Sequence, residues 1–490
     1  MQVLPRVGFL VSMHRGLRPV RRMLACAAWM IPSLCVLGAD GGAVTRVACV
    51  GDSITWGAGT DSPAWQSYPA QLQRLLGGAN YLVGNFGSSG STLLNAGDQP
   101  YGTQNAFKQA LKYKPDIVVI QLGTNDTKPQ NWRHRNSFVA DYVDLIRRFQ
   151  EPNPAIRVYL CLPPYVGRED LSSINETVLR EQLPLIKQVA SETGAAIIDV
   201  HEVFTGRVDL LKDRVHPTEA GAAVLAKTVY AALTGRLFDG DVPDRFYSQW
   251  NGYERTDFLV GRRPAILVAP KTPAAGRPWI WRTEFFGAFP SVDLALLEKG
   301  WHVAYLDVQN LYGAPVALDA MDGFHPYLLE KYKLAGKPVL EGFSRGGLFA
   351  FNWAARHPDR VAALYVDAPV CDFKSWPAGH GRGKGSPGDW TRCLQVYGLT
   401  EEQARDYTGN PIDNLAPLAA AKIPIIAVAG DADDVVPLNE NIGIVEKRYR
   451  ELGGRIQLIT KPGVGHHPHS LTDPTPVVDF LVAVFNAPTT

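Results

Sequence analysis

Val47-Ala48-Cys49-Val50-Gly51-Asp52-Ser53-Ile54-Thr55 is the stretch on which the reading of this chain turns. An unbroken apolar run reads as a strand buried on both faces, and a Gly-Asp-Ser turn follows it at once. Ser53 would therefore stand at the carboxyl edge of a sheet. A hydroxyl is a weak nucleophile at neutral pH and needs a base, an orienting carboxylate and donors for the oxyanion. Candidates for all of these follow along the chain. The loop Asn85-Phe86-Gly87-Ser88-Ser89-Gly90-Ser91-Thr92 succeeds a second strand-like run, a third ends in Gly123-Thr124-Asn125-Asp126, and Asp213-Arg214-Val215-His216 lies far downstream. The backbone N–H groups of Ser53 and Gly90 and the Asn125 amide would converge on one oxyanion, with Gly87 the competing glycine. His216 would act as base and Asp213, three residues earlier, would hold its imidazole.

Working outward from Ser53, β-rich runs at 44–50, 81–86, 116–122, 158–162 and 195–200 alternate with helical patterns near 67–76, 104–113, 136–149, 176–192 and 218–233. Continuous apolar strands separated by helices imply a parallel sheet covered on both faces, with ligands at the edge where the strands end. Residues 238–263 are polar and aromatic, punctuated by Asp-Gly, Val-Pro and Asn-Gly turns, and read as a linker and a leading hairpin. The alternation then resumes, with strand candidates at 265–269, 278–282, 302–306, 338–341, 362–366, 423–428 and 456–459. Between 367 and about 420 it lapses into Gly, Pro, Trp and charged residues, an irregular insertion of the kind that forms lids and binding elements.

The second half carries its own serine motif, Gly342-Phe343-Ser344-Arg345-Gly346-Gly347, between an apolar strand and a helical run. Glycines flank the serine because so tight a turn leaves no room for side chains. The Arg345 N–H is the natural first oxyanion donor, and a second is expected near Arg282 or Thr283. Asp433 follows one strand and His466 follows the last, with Asp431 and Asp434 as alternative carboxylates. His467 and His469 offer pocket-lining residues or, with His466, a metal cluster; no further carboxylate at ligand spacing supports a metal, and no cofactor is expected. Trp376, His380, Trp390 and Tyr397 in the insertion read as a small core that holds it down, or else as a wall against which substrate rings stack. Trp279 and Trp281 share one strand and are expected to divide, one to the core and one to the site, making Trp281, Trp376 and Trp390 the substrate-binding candidates.

The four blocks of the first half, Gly-Asp-Ser, the Asn-x-x-x-x-Gly loop, Gly-x-Asn-Asp and Asp-x-x-His, resemble the SGNH (GDSL-type) hydrolases over residues 44–237. That resemblance implies a flavodoxin-like α/β domain, Ser53 as nucleophile, Gly90 and Asn125 in the oxyanion hole, and Asp213 and His216 completing a triad. The Gly-x-Ser-x-Gly motif with Asp433 and His466 in the order Ser, Asp, His resembles the α/β-hydrolase superfamily over about 250–486, and implies a second triad. Two α/β domains of different ancestry are thus expected on one chain, each with a mostly parallel sheet and helices on both faces.

Bulk properties agree with such a division. A chain of 490 residues exceeds what one core holds, and two domains of roughly 200–250 residues each are expected. A formal net charge of +1, with no basic block beyond the N-terminus, gives nucleic-acid binding no electrostatic support. Eleven Trp and eighteen Tyr supply more rings than a core needs, and exposed ones would serve as sugar-stacking platforms. Arg15, Arg18, Arg21 and Arg22 precede the apolar run 23–36, so residues 1–39 read as an export signal rather than a membrane anchor. In an oxidising compartment Cys371 and Cys393, which flank 372–392, would staple the insertion, whereas Cys49 and Cys161 read as small buried residues. The expectation is a periplasmic or secreted bacterial esterase. It would strip acetyl or other acyl groups from an oligosaccharide or polysaccharide at two sites and, once the signal is cleaved, engage no membrane. A single-site esterase with a non-catalytic partner domain, or a second domain of lipase or peptidase type, are the alternatives.

Overall fold

The computed structural model describes residues 44–487; the expected export signal lies outside them. Five strands, β1 (Thr45–Gly51), β2 (Tyr81–Gly87), β3 (Ile117–Gln121), β4 (Arg157–Leu162) and β5 (Ala196–Asp199), form a sheet in the order β2-β1-β3-β4-β5. Every pairing is parallel. Alternate residues serve opposite faces: Ala48 and Val50 join one buried cluster with Val118 and Ile120, while Val47 and Cys49 join another with Ile117 and Val119. Burial on both faces explains why these strands are continuously apolar. The order in which strands are added reverses about β1, so the ends of β2, β1 and β3 lie side by side at a topological switch point.

The second sheet adds nine strands: β6 (Arg245–Trp250), β7 (Tyr253–Val260), β8 (Arg263–Ala269), β9 (Trp279–Arg282), β10 (His302–Leu306), β11 (Val339–Phe343), β12 (Ala363–Asp367), β13 (Ile425–Gly430) and β14 (Ile456–Lys461). Their order is β14-β13-β12-β11-β9-β10-β8-β7-β6. The six strands from β14 to β10 run parallel, whereas β8, β7 and β6 form an antiparallel flank. The β6–β7 hairpin turns through Asn251 (φ 50°) and Gly252 (φ 81°), and two successive positive φ angles are what the Asn-Gly signal predicts. Because β8 is antiparallel to β10, its first residues lie at the same sheet edge as the ends of β9, β10 and β11.

Three expectations are corrected. Trp279 and Trp281 do not divide between core and site: residues two apart on a strand point to one face, and their rings stack 5.7 Å apart inside the same cluster. Trp281 is 1 % exposed, walled in by Phe324 and Trp353, and so is not a substrate-binding residue. The insertion is not irregular, since helices Pro387–Tyr397, Glu401–Arg405 and Ala416–Ala420 occupy much of it. Its Ser386-Pro387 start and Thr400 capping box are helix-start signals, masked in sequence by the surrounding glycines. Finally, Cys371 and Cys393 are free thiols buried in the core of the second sheet rather than a staple. Burial pushes both thiols above the usual range, Cys393 to about 12, and they fill space as small apolar groups.

Candidate active sites

In the first sheet, β1 delivers Ser53 to the first turn of helix Ser53–Trp56. The Asp52 carboxylate caps that helix by accepting the Ile54 N–H at 2.9 Å. Position 51 must be glycine: a Cβ there would lie 2.3 Å from the Gln121 carbonyl oxygen. Ser53 Oγ lies 2.9 Å from His216 Nε2, and His216 Nδ1 lies 2.8 Å from Asp213 Oδ2. The other oxygen of Asp213 accepts the backbone N–H groups of Val215 at 3.1 Å and His216 at 2.8 Å, so the four-residue segment closes on itself. Burial works against the Asp213 charge, but the His216 and Val215 N–H groups and the His216 ring outweigh it and hold the carboxyl down at about 2.

The three expected donors follow the ends of adjacent strands, Ser53 after β1, Gly90 after β2 and Asn125 after β3. Gly90 has φ 84°, and a Cβ on it would meet Gln99 Oε1 at 2.9 Å. Its N–H has no acceptor among the described residues, whereas that of Gly87 is taken by Asn85 Oδ1 at 3.0 Å. The geometry thus favours Gly90 over its competitor. Asn125 is held by its own amide on the Ser91 carbonyl (3.1 Å) and by Asn131 on its backbone oxygen (2.9 Å). Asp126, next along, is a residue whose part the sequence did not disclose. Fully buried, it accepts the Leu93 and Leu94 N–H groups at 2.9 and 2.8 Å and ties the Gly90 loop to the end of β3.

In the second sheet the elbow is sterically explicit. Ser344 has φ 50°, and a Cβ at Gly342 would meet the Gly346 carbonyl oxygen at 2.8 Å, one at Gly347 the Pro369 Cβ at 2.5 Å. A non-glycine residue at positive φ is strained, and the turn between β11 and helix Gly346–Arg356 over-determines it. Ser344 Oγ lies 2.9 Å from His466 Nε2, and His466 Nδ1 lies 2.7 Å from Asp433 Oδ2. Asp433 Oδ1 accepts the Val435 and Val436 N–H groups, each at 2.9 Å. Burial opposes the charge of Asp433, yet the His466 hydrogen bond and these backbone donors leave its carboxyl below the usual range. The alternatives are engaged elsewhere: Asp431 accepts the Gly463 N–H at 2.6 Å, and Asp434 pairs with Lys384. His466 and Asp433 are buried, whereas the first triad sits at the rim, with nearly half of the Asp213 side chain exposed.

A second donor is expected near Arg282 or Thr283. Arg282 is buried in an ion cluster with Asp293 and Glu341, and the Thr283 N–H and hydroxyl both bond the Glu341 carbonyl at 2.9 Å. The next backbone N–H, that of Glu284, comes within 3.8 Å of where a Gly346 Cβ would lie and has no acceptor among the described residues. Around it sits a group that motif reading missed. Arg345 donates to Glu284 Oε1 at 3.0 Å and to Asp389 Oδ1 at 3.1 Å, and Tyr312 donates to Asp389 at 2.5 Å. Each residue is unremarkable alone in sequence, because they come from the segment after β9, the elbow, the loop after β10 and the insertion.

Of the insertion candidates, Trp376 is nearly buried with its ring 6.4 Å from Tyr312, so it backs this cluster. Trp390 donates to Glu401 and packs on Phe373 and His380, inside the insertion's own core. His466, His467 and His469 come close enough together to share an ion. Both ring nitrogens of His466 are engaged by Ser344 and Asp433, however, and His469 Nδ1 lies 2.8 Å from Asp367 Oδ1. An ion here would have to break the triad, so the donor set does not fit a metal.

A cleft of about 520 Å³ is lined by Asp61, Ser62 and Pro63 on one side and Arg262, Asp307 and Asn310 on the other. Asp61 pairs with Arg262 across it at 3.3 Å. The Asn310 backbone N–H donates to Glu284 at 3.2 Å. Among the described residues no helix is long and apolar enough to cross a membrane.

Comparison with known proteins agrees with this geometry. Residues 49–224 match the model of the GDSL-like Lipase/Acylhydrolase family, and residues 301–487 that of the Prolyl oligopeptidase family. An acetylxylan esterase of Xylanibacter ruminicola is 38 % identical over 206 residues, covering 38 % of this chain and 43 % of that protein. A multidomain esterase of Ruminococcus flavefaciens is 25 % identical over 248 residues, covering 44 % of this chain and 32 % of that protein. The chain thus spans less than half the length of the curated relatives it matches. The solved structure of Est1E from Butyrivibrio proteoclasticus aligns at 19 % identity and a TM-score of 0.34, over 50 % of this chain and all of that one. Two stretches of this chain are thus similar to two different hydrolase families, residues 49–224 to the GDSL-like Lipase/Acylhydrolase family and residues 301–487 to the Prolyl oligopeptidase family.

Proposed function

We propose that the chain is a secreted serine esterase that removes acyl groups, acetyl foremost, from carbohydrate at two separate sites. The observation that carries this reading is that both Ser–His–Asp arrays stand assembled, with Ser–His and His–Asp contacts of 2.9 and 2.8 Å in one and 2.9 and 2.7 Å in the other. In the first site Ser53 Oγ attacks the ester carbonyl carbon and passes its proton to His216 Nε2. The negative oxygen settles among the Ser53 and Gly90 N–H groups and the Asn125 amide. His216 returns the proton to the departing sugar oxygen, leaving an acetyl-serine. Water, deprotonated by His216, then attacks the acyl carbon, the Ser53–acyl bond breaks, and the acid leaves. Ser344, His466 and Asp433 repeat these steps, with the Arg345 and Glu284 N–H groups as the donors.

A developing oxyanion held by fixed N–H groups in a water-poor site is worth several kcal/mol in the transition state. The substrate class is supported by the esterase names of the relatives. Two sites on one chain fit a polymer whose partly deacylated product stays near the second site. The matched prolyl oligopeptidase model favours one second reading, amide cleavage by the Ser344 site. Ser53→Ala, Ser344→Ala and double variants, assayed on acetylated xylo- and manno-oligosaccharides, feruloylated sugars, an alkyl acetate and peptide anilides, separate these readings. Acyl release that survives the double variant would overturn the mechanism. Anilide cleavage lost only in Ser344→Ala would assign that site to peptides.

A further inference from the structure

Trp56 is the most exposed tryptophan among the described residues, at 47 %; the others are buried or half-buried. Tryptophan is ordinarily among the most buried side chains, so an indole left in water asks for a partner. Its position is specific. Trp56 closes the helical turn that Ser53 opens, and its N–H bonds the Asp52 carbonyl at 3.0 Å. Residues three apart share a helix face, so Trp56 and Ser53 lie on the same face of this one turn. The turn cannot swing away. A Cβ on Gly87 would lie 2.1 Å from the Trp56 nitrogen, so the helix is pressed against the end of β2, and Gly57 follows in the left-handed region at φ 105°. The backbone around Trp56 is therefore fixed while its ring is open to solvent.

We infer that Trp56 is the platform on which a pyranose ring of the acylated substrate stacks at the first site. A pyranose presents a face of C–H bonds that is apolar and slightly positive, and an indole presents a flat, electron-rich face. Stacking leaves the sugar hydroxyls and their acyl groups directed outward around the ring rim, where one ester can reach Ser53. The acyl group itself is too small to need such a surface, so the platform reads the sugar rather than the acid. This rests on Ser53 being the nucleophile of a carbohydrate esterase.

The test uses the full chain carrying Ser344→Ala, so that only the first site reports. For Trp56→Ala, the ratio of kcat/KM on an acetylated xylo-oligosaccharide to that on a ring-free alkyl acetate should fall about tenfold, through KM, because loss of one good ring contact costs about a decade of affinity. Trp56→Phe, which keeps a flat ring, should recover most of the ratio. Titrating xylo-oligosaccharide by calorimetry into Ser53→Ala protein, which binds without turnover, should show the same weakening when Trp56→Ala is added. A ratio and an affinity within twofold of the parent would overturn the inference. Should the alanine variant fold poorly, Trp56→Gln and Trp56→Phe compared with each other decide the matter on the same two readouts. Acetyl release that persists in Ser53→Ala would instead overturn the reading of Ser53, a distinguishable failure.

Discussion

Gly342→Ala is the perturbation that most sharply tests the elbow. The added Cβ would meet the Gly346 carbonyl oxygen at 2.8 Å, the Gly346 carbonyl carbon at 2.9 Å and the Gly347 nitrogen at 3.0 Å. All three are backbone atoms of the helix that follows Ser344, so no side chain can turn aside, and β11 or the helix must move. Overpacking of this kind costs about 1–3 kcal/mol, and the end near 3 is expected here because the obstructing atoms are rigid. The movement has a second consequence. Ser344 is held at φ 50° with its hydroxyl 2.9 Å from His466, and a displacement of about an ångström at a reacting group can cost a hundredfold in rate. In a Ser53→Ala background, Gly342→Ala should lower second-site kcat/KM by at least tenfold and lower the urea midpoint of the second-sheet transition. Gly336→Ala is the control, since a Cβ there meets nothing within 4 Å. An elbow variant that matches this control in rate and urea midpoint would refute the steric account.

Gly90→Ala should reduce first-site kcat about 10–100-fold, since the loop must shift off Gln99 and carry an oxyanion donor with it; steady-state kinetics in the Ser344→Ala background measures this. Asp293→Ala leaves Arg282, 0 % exposed, with Glu341 as its sole remaining acidic partner in the cluster, and should cost about 3–5 kcal/mol in urea unfolding. Asp52 gives a pH signature. Burial lifts its carboxyl from 3.8 to about 7, so between those values the folded chain holds a proton that the unfolded chain has released. Stability from this group is therefore full below about pH 4 and lost as pH rises to 7, by up to about 4 kcal/mol. Asp52→Asn should flatten that slope in unfolding curves at pH 5 and 7.5 while keeping the cap on Ile54.

Strand positions in both halves were legible because fully buried parallel strands are continuously apolar; β1 to β5 fall within a residue of the expected runs. The triads were legible for a related reason. Each member lies within a few residues of a strand end or three residues from its partner, so local spacing carries much of the geometry. What escaped was long-range or two-sided. Trp281 looked like a pocket residue because its neighbours in space, Phe324 and Trp353, are remote in sequence. The helix Pro387–Tyr397 hid in a glycine-rich stretch, and its Asp389 gains meaning only beside Arg345 and Tyr312. Thr283 is taken out of the donors expected near Arg282 or Thr283 because its N–H is already bonded to the Glu341 carbonyl, a pairing no motif encodes.

The central claim is that two independent triads on one chain each activate a serine. A fluorophosphonate reacts covalently with such serines, and intact-mass spectrometry counts the adducts. The account predicts two adducts on the parent protein, one each on Ser53→Ala and Ser344→Ala, and none on the double variant. A parent chain that takes up a single adduct, lost entirely in one of the two single variants, would contradict it.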